Sequence, residues 1–167
     1  MSYNKEAEKF IDGKFKELIR EKSTFRDELT YIVDKDSIID ILKFLYEDEQ
    51  FEYNFLTDLT ATDWPERDER HEVVYLLYSF KDNTRLRFKV RLKEGEKLQT
   101  ATVIWDSANW LEREVYDLFG VYFEGHPDLT RILTPDDFEG HPLRRDYSLT
   151  YEIPQFSYNK DEPPEVI

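Results

Sequence analysis

Apolar positions recur at two spacings along this chain, and the switches between them outline its elements. Ala7, Ile11, Phe15, Leu18 and Ile19 share one helical face, which predicts a helix over residues 4–22. Gly13 interrupts it at a cost of about 1 kcal/mol against alanine. Leu29–Val33 (LTYIV) reads as a short strand. Asp34 or Asp36 then caps a second helix reaching about Glu47, with Ile38, Ile41, Leu42 and Leu45 as its buried stripe.

The spacing then changes to two. Phe55–Trp64 alternates and stops at Pro65, which has no N–H to donate to a ladder. The run PERDER (65–70) is an exposed loop. Glu72–Phe80 is almost continuously apolar, as a central strand is, and residues 81–83 make a tight turn. In Arg85–Leu92, Leu86, Phe88, Val90 and Leu92 point one way and Arg85, Arg87, Lys89 and Arg91 the other. Residues 94–97 turn into a last strand, Leu98–Trp105. Asp106 or Ser107 then opens a third helix, ANWLEREVYDLF, closed by Gly120. Leu111, Val115 and Leu118 form its apolar stripe, with Glu112, Arg113, Glu114 and Asp117 on the flanks.

The order α-β-α-β-β-β-β-α predicts an α+β fold of two layers, helices on a mixed or mostly antiparallel sheet. Residues 1–120 are its core domain. Regular patterning ends there, and six of the seven prolines lie in 121–167. This segment is too aromatic for a plain disordered tail, and it reads as an extended C-terminal arm for docking.

Composition narrows the function classes. The 167 residues suit one domain, and 40% hydrophobic content suffices for one core. No apolar run is long enough to span a bilayer, and the N-terminus lacks the apolar core of a signal peptide. The chain is expected to meet a membrane only through something else. With no cysteine, it has no disulfide, thiol nucleophile or cysteine ligand for zinc or iron–sulfur clusters. A net charge of −14 repels nucleic acid and anionic lipid. The exception is residues 71–100, where Lys and Arg outnumber Asp and Glu. Their basic strand is by default the solvated face of a one-sided sheet, with contact to an acidic strand or partner as the alternative.

The chemistry centres on a repeated pentapeptide, FEGHP, at 123–127 and again at 138–142. His126 and His141 would be two ligands of a metal site that needs at least three, and His71 lies in another element. The backbone reading is stronger. Gly125 and Gly140 permit an unusual bend, Pro127 and Pro142 fix the next residue, and each histidine is held at a corner to hydrogen-bond. On the third helix, a carboxylate pair could do acid–base work. The blander reading is a solvated face with an Arg113–Asp117 pair, and Trp110 and Tyr116 among these charges give it interface composition. Arg131, Arg144 and Arg145 are suited to binding carboxylates. No phosphate loop or hydrolase motif is present.

The run from Glu112 to Gly120 (EREVYDLFG), then Gly125–Leu133 (GHPDLTRIL), then Gly140–Tyr147 (GHPLRRDY) resembles the signature of the 30-kDa-type subunit of respiratory complex I, the NuoC type of bacteria. Arg145 stands where lysine is common in that family. The match is strong over 105–147 and looser before it. The resemblance implies an α/β domain with a C-terminal extension and a place in the peripheral arm of a proton-translocating NADH:quinone oxidoreductase. It implies no catalysis and no cofactor in this chain; NADH, FMN, iron–sulfur clusters and quinone belong to the whole complex. The implied main partner is the hydrogenase-like quinone-site subunit (NuoD type), with the cluster-bearing NuoB- and NuoI-type subunits nearby, at the cytoplasmic face of the plasma membrane. Partner-binding candidates are Trp110, Glu112, Arg113, Glu114, Tyr116, Asp117, Gly125, His126, Pro127, Arg131, Gly140, His141, Pro142, Arg144, Arg145, Asp146 and Tyr147. Reversing Arg144 and Arg145 is expected to release the subunit without unfolding it. Three alternatives stand beside this reading: the equivalent subunit of a ferredoxin- or F420-linked dehydrogenase or membrane-bound hydrogenase, an independent two-histidine metalloenzyme, and a free-standing acidic binding domain.

Overall fold

The computed structural model describes residues 3–148; the part of the expected arm beyond Ser148 lies outside them. Helix α1 spans Lys5–Lys14, and the Asn4 side chain caps it by accepting from the N–H groups of Glu6 and Ala7 at 2.8 and 3.2 Å. It is shorter than the predicted helix. The chain leaves it at Phe15, and Ile19–Phe25 forms strand β1 instead. Strand β1 pairs antiparallel with β2, Glu28–Val33, through a hairpin turn at Arg26 and Asp27, both at positive φ (49° and 61°). The Lys22 ammonium of β1 reaches Glu8 of α1 at 3.0 Å, so the hairpin is also fastened to the helix.

Helix α2, Ile38–Glu47, buries Ile38, Ile39, Ile41, Leu42 and Leu45. Its N-cap is Ser37 rather than either aspartate, and the Ser37 hydroxyl donates to the Asp34 carbonyl instead of accepting from the helix. Strands β3 (Phe55–Asp63), β4 (His71–Ser79) and β5 (Thr84–Leu92) follow as an antiparallel meander. Strand β5 then lies parallel to β2, from Thr30↔Arg87 to Val33↔Val90. The five-stranded sheet therefore runs β1-β2-β5-β4-β3, mixed as expected.

Pairing register assigns the two faces of the sheet. Leu29, Tyr31 and Val33 lie with Leu86, Phe88 and Val90, with Val73, Tyr75 and Leu77, and with Leu59 and Ala61. All belong to one core, joined by Ala7 and Ile11 of α1, the stripe of α2, and Ala108, Val115 and Phe119 from the third helix. The opposite face carries Arg85, Arg87, Lys89 and Arg91, and no helix covers it. It is an ionic ladder rather than a free basic patch. Arg87 pairs with Glu28 at 2.5 Å, Lys89 with Glu72 at 2.6 Å, and Arg91 with Glu21 at 2.8 Å.

The predicted strand 98–105 shrinks to β6, Lys97–Gln99, followed by a 3₁₀ turn, Ala101–Val103. Helix α3 spans Ala108–Phe119 and ends at Gly120, whose φ of 77° is left-handed as the sequence requires. A short strand β7, Tyr122–Glu124, pairs parallel with β6. Among the described residues, no helix is long and apolar enough to cross a membrane.

Candidate functional site

The motif residues converge on α3 and the segment that follows it. Helix α3 does not bury the simple apolar stripe expected of it. Leu111 and Leu118 are half-buried, while Glu112 and Asp117 are 0% exposed. Each carboxylate is buried because a chain segment closes over it and supplies hydrogen bonds.

Glu112 faces the 3₁₀ turn. It accepts from the Thr100 hydroxyl and the Ala101 N–H, each at 2.5 Å. These two bonds hold the chain in the turn, which is why the predicted strand stops short. Burial nevertheless dominates and pushes the Glu112 carboxyl up to about 7.

Asp117 faces the chain beyond β7. One oxygen accepts from the N–H groups of Ile132, Leu133 and Thr134 at 3.0, 2.8 and 2.9 Å. The other takes Arg131 Nη1 at 2.7 Å and the Thr134 hydroxyl. Burial alone would raise its pKa, but these donors outweigh burial and hold it far below the usual carboxylate range. Arg113 does not form the expected i, i+4 pair with Asp117. Its guanidinium donates to the carbonyls of Thr130 and Arg131 at 3.1 and 3.0 Å, beside the Trp110 ring.

The two FEGHP corners clip the same segment to the two ends of α3. Gly125 and Gly140 take φ of 82° and 84°. His126 Nδ1 accepts from the Asp128 N–H, so its Nε2 donates to the Asn109 carbonyl at 3.1 Å. His141 holds the other tautomer, its Nδ1 donating to the Asp117 carbonyl at 2.8 Å. The carbonyls they bind are about 12 Å apart along the helix axis, at 1.5 Å per residue. The histidines do not converge, and among the described residues no group of three or more His, Cys, Asp or Glu is placed to hold a metal ion.

The last turn of α3 is finished by the same strap. The Tyr116 carbonyl accepts from the Gly120 N–H at 2.9 Å, that of Leu118 from the Leu143 N–H at 3.0 Å, and that of Phe119 from Arg144 Nε at 2.7 Å. With His141 on Asp117, four carbonyls that a helix end leaves open all have donors. Gly120 is also required by space: a Cβ there would lie 2.6 Å from Arg144 Nη2 and from the His141 ring. Gly140 packs against Tyr147, whose ring stacks on Phe138 at 5.9 Å.

The end of the strap returns to the sheet. Asp63 accepts the Arg145 N–H at 2.8 Å and a two-pronged Arg70 at 2.6 and 2.9 Å. Arg70 also pairs with Asp146 at 2.7 Å, and Arg144 with Glu94 at 3.0 Å. The buried His71 lies 3.5 Å from both Asp63 and Glu94 with neither ring nitrogen hydrogen-bonded; burial is the main cause of its lowered pKa. Sequence reasoning missed Asp63, Arg70, Glu94, Thr100 and Thr134. Only Asp63 carried a signal: in register with Leu59 and Ala61, it is a charge on the apolar face of its strand.

The remaining candidates point outward. Trp110 is 62% exposed, Leu133 63% and Leu143 52%. Glu114, Pro127, Arg145 and Asp146 are exposed, and Tyr116, Pro142 and Tyr147 are half-buried.

Residues 31–152 match the family model described as the 30 kDa subunit of respiratory-chain NADH dehydrogenase. The chain is 47% identical over 150 residues to the NuoC-type subunit of the NADH-quinone oxidoreductase of Geotalea uraniireducens, covering 89% of this chain and 90% of that one. The same subunit of Geobacter sulfurreducens is 46% identical over 151 residues, covering 89% and 92%. A mitochondrial relative, the NADH-ubiquinone oxidoreductase 30.4 kDa subunit of Neurospora crassa, is 45% identical over 141 residues, covering 84% of this chain and half of the longer protein. The matched region contains the strap and nearly all of the sheet that anchors it, and the chain belongs to the family of the 30 kDa subunit of respiratory-chain NADH dehydrogenase, complex I.

Proposed function

We propose that the chain is a non-catalytic peripheral-arm subunit of a proton-translocating NADH:quinone oxidoreductase, and that the strapped face of α3 docks it on the hydrogenase-like quinone-site subunit. The NuoB- and NuoI-type subunits lie nearby, and the assembly sits at the cytoplasmic face of the membrane. In this reading FMN, the clusters and quinone are held by other subunits. The chain offers no cysteine ligand.

One observation carries the proposal. The strap uses its buried polar groups on α3, and so presents Trp110, Leu133, Leu143 and Arg145 outward on a braced backbone. Exposed aromatic, leucine and arginine side chains on a rigid support match the composition of interface cores. The glutamate reversal expected to be neutral for folding now applies to Arg145 alone, because Arg144 holds the Phe119 carbonyl.

The test is a mild-detergent pull-down of the tagged full chain from its own membranes. Mass spectrometry and an NADH:quinone reductase assay follow on the eluate. The chain is expected to bring down flavin- and cluster-bearing subunits with NADH-dependent activity. The Arg145→Glu, Leu143→Ser double variant is expected to keep its melting curve and lose them. Co-elution with a hydrogenase-like subunit but no NADH activity would move the chain to the ferredoxin- or F420-linked relatives. Undiminished assembly of the double variant would refute the strapped face as the docking site.

A further inference from the structure

The uncovered face of the sheet changes character along its strands. Toward Asp63 and His71, where the strap ends, its charges are matched: Lys89 and Arg91 share the buried Glu72, and Arg91 also holds Glu21. At the other end, register sets Phe55, Tyr78 and Arg85 abreast on three neighbouring strands. Phe80 packs its ring on Phe55 at 5.3 Å and on Tyr78 at 4.9 Å, yet remains 64% exposed. This end lies roughly 26 Å from Asp63 at about 3.3 Å per strand residue.

Arg85 is the exception among the four cations of β5. The other three hold carboxylates of neighbouring strands. Among the described residues, none pairs with Arg85, although the whole chain carries −14. Arg85 borders a groove of about 230 Å³ that crosses the sheet, lined by Leu76, Thr57, Glu28 and Arg87. Glu28, the nearest acid along it, is already held by Arg87. A one-sided antiparallel sheet ordinarily shows water an even polar face. Clustered exposed rings beside an unpaired arginine are the composition of interface hot spots instead.

We propose that this end of the sheet is a second docking surface, for an acidic segment of another polypeptide that sets a carboxylate on Arg85 and an apolar side chain on the Phe55–Phe80 rings. Charge complementarity selects that occupant. A second copy of the chain is disfavoured, because a two-fold pairing through this patch brings Arg85 toward Arg85 and joins two chains of like net charge. The proposal rests on the reading that the chain works within an assembly, but it concerns a face that the strap does not form.

The test places p-benzoylphenylalanine at position 80 of the tagged full chain in its own cells. The assembled complex is irradiated and purified, and the cross-linked residue is mapped. The expected product joins position 80 to a different polypeptide, within a few residues of an Asp or Glu. Arg85→Glu is expected to cut its yield at least tenfold while the isolated chain keeps its melting curve. Replacing the mapped acid with Lys is expected to restore it. Co-purification of other subunits without a cross-link, a cross-link to a second copy, or a yield indifferent to Arg85→Glu would each overturn this proposal and leave the assembly reading standing. A chain that co-purifies with nothing overturns both.

Discussion

Asp117→Ala is expected to free the strap from α3 while leaving the sheet folded. The carboxylate takes three consecutive backbone N–H groups, the Thr134 hydroxyl and the Arg131 guanidinium, and it is fully buried. Removing it leaves a partly buried Arg131 without its anion and three amides without an acceptor. Breaking one side of a buried ion pair costs about 3–5 kcal/mol. Arg131 keeps its bond to the Gly140 carbonyl at 3.0 Å and can turn toward water, which favours the lower end of that range. About 3 kcal/mol corresponds to roughly a hundredfold change in an opening equilibrium. Native-state hydrogen exchange reads it directly. The amides of Ile132, Leu133 and Thr134 should exchange about a hundred times faster in the variant, with Leu143 following as the corner at His141 loosens. Those of Tyr31, Tyr75 and Phe88 should change little, since local opening need not involve the core strands. Asp117→Asn keeps one acceptor oxygen but sets an NH₂ against backbone donors, so it should fall between the two. Unchanged protection at 132–134 would refute the account of Asp117 as the clamp. Equal loss of protection in the sheet would refute the claim that strap and sheet open separately.

Gly120→Ala should loosen the same strap from the other side. The new Cβ would lie 2.6 Å from Arg144 Nη2 and from His141, on top of about 1 kcal/mol for a non-glycine residue at φ 77°. Limited proteolysis should cut it between 126 and 147 well before the wild type, and equal resistance would show that the strap can shift without cost. Glu112→Gln should change how stability depends on pH. The folded carboxyl titrates near 7 against an ordinary value of 4.5, so below about 4.5 both folded and unfolded states are protonated. As pH rises from there to 7, the unfolded chain releases this proton and the native state keeps it, so the contribution of Glu112 to stability is progressively lost. At about 1.4 kcal/mol per pH unit the loss approaches 3 kcal/mol by pH 7. Glutamine does not titrate, so urea denaturation curves of the two proteins should diverge between pH 5 and 7 in favour of the variant; parallel curves would place the titration elsewhere.

The sheet core was legible in the sequence because its period is simple and its strands have one apolar face. Arg85–Leu92 alternates without error, and Glu72–Phe80 is apolar as a central strand is. Strand β1 was hidden for two reasons. Leu18 and Ile19 continue the helical spacing of α1, and the turn that starts the hairpin uses Arg26 and Asp27 where glycine or asparagine would have announced it. β1 is also an edge strand with almost every residue exposed, so it has no apolar period to detect. The FEGHP corners were read correctly as backbone devices, because Gly-His-Pro constrains the chain locally. The fate of Glu112, Arg113 and Asp117 was not legible. Helical periodicity assigns charged residues to the solvent side, and only the segments that fold over α3 from 100–101 and 130–134 reverse that assignment.

The strap explains why a helix would bury two carboxylates where leucines would pack. An apolar stripe on α3 would accept many registers of an irregular, proline-rich segment, because apolar contact is not directional. Asp117 accepts one: three successive N–H groups must turn toward a single oxygen while Arg131 and Thr134 reach the other. His126 and His141 add fixed donors at either end of the helix, and Gly120 leaves room only where His141 and Arg144 cross it. Burying these charges stabilises the fold less than leucines would, but it selects one backbone path. A segment whose outward residues must meet another subunit at set positions needs that selection more than extra stability. The same logic accounts for the salt-bridged return to Asp63, which ties the last described turn of the strap to the sheet.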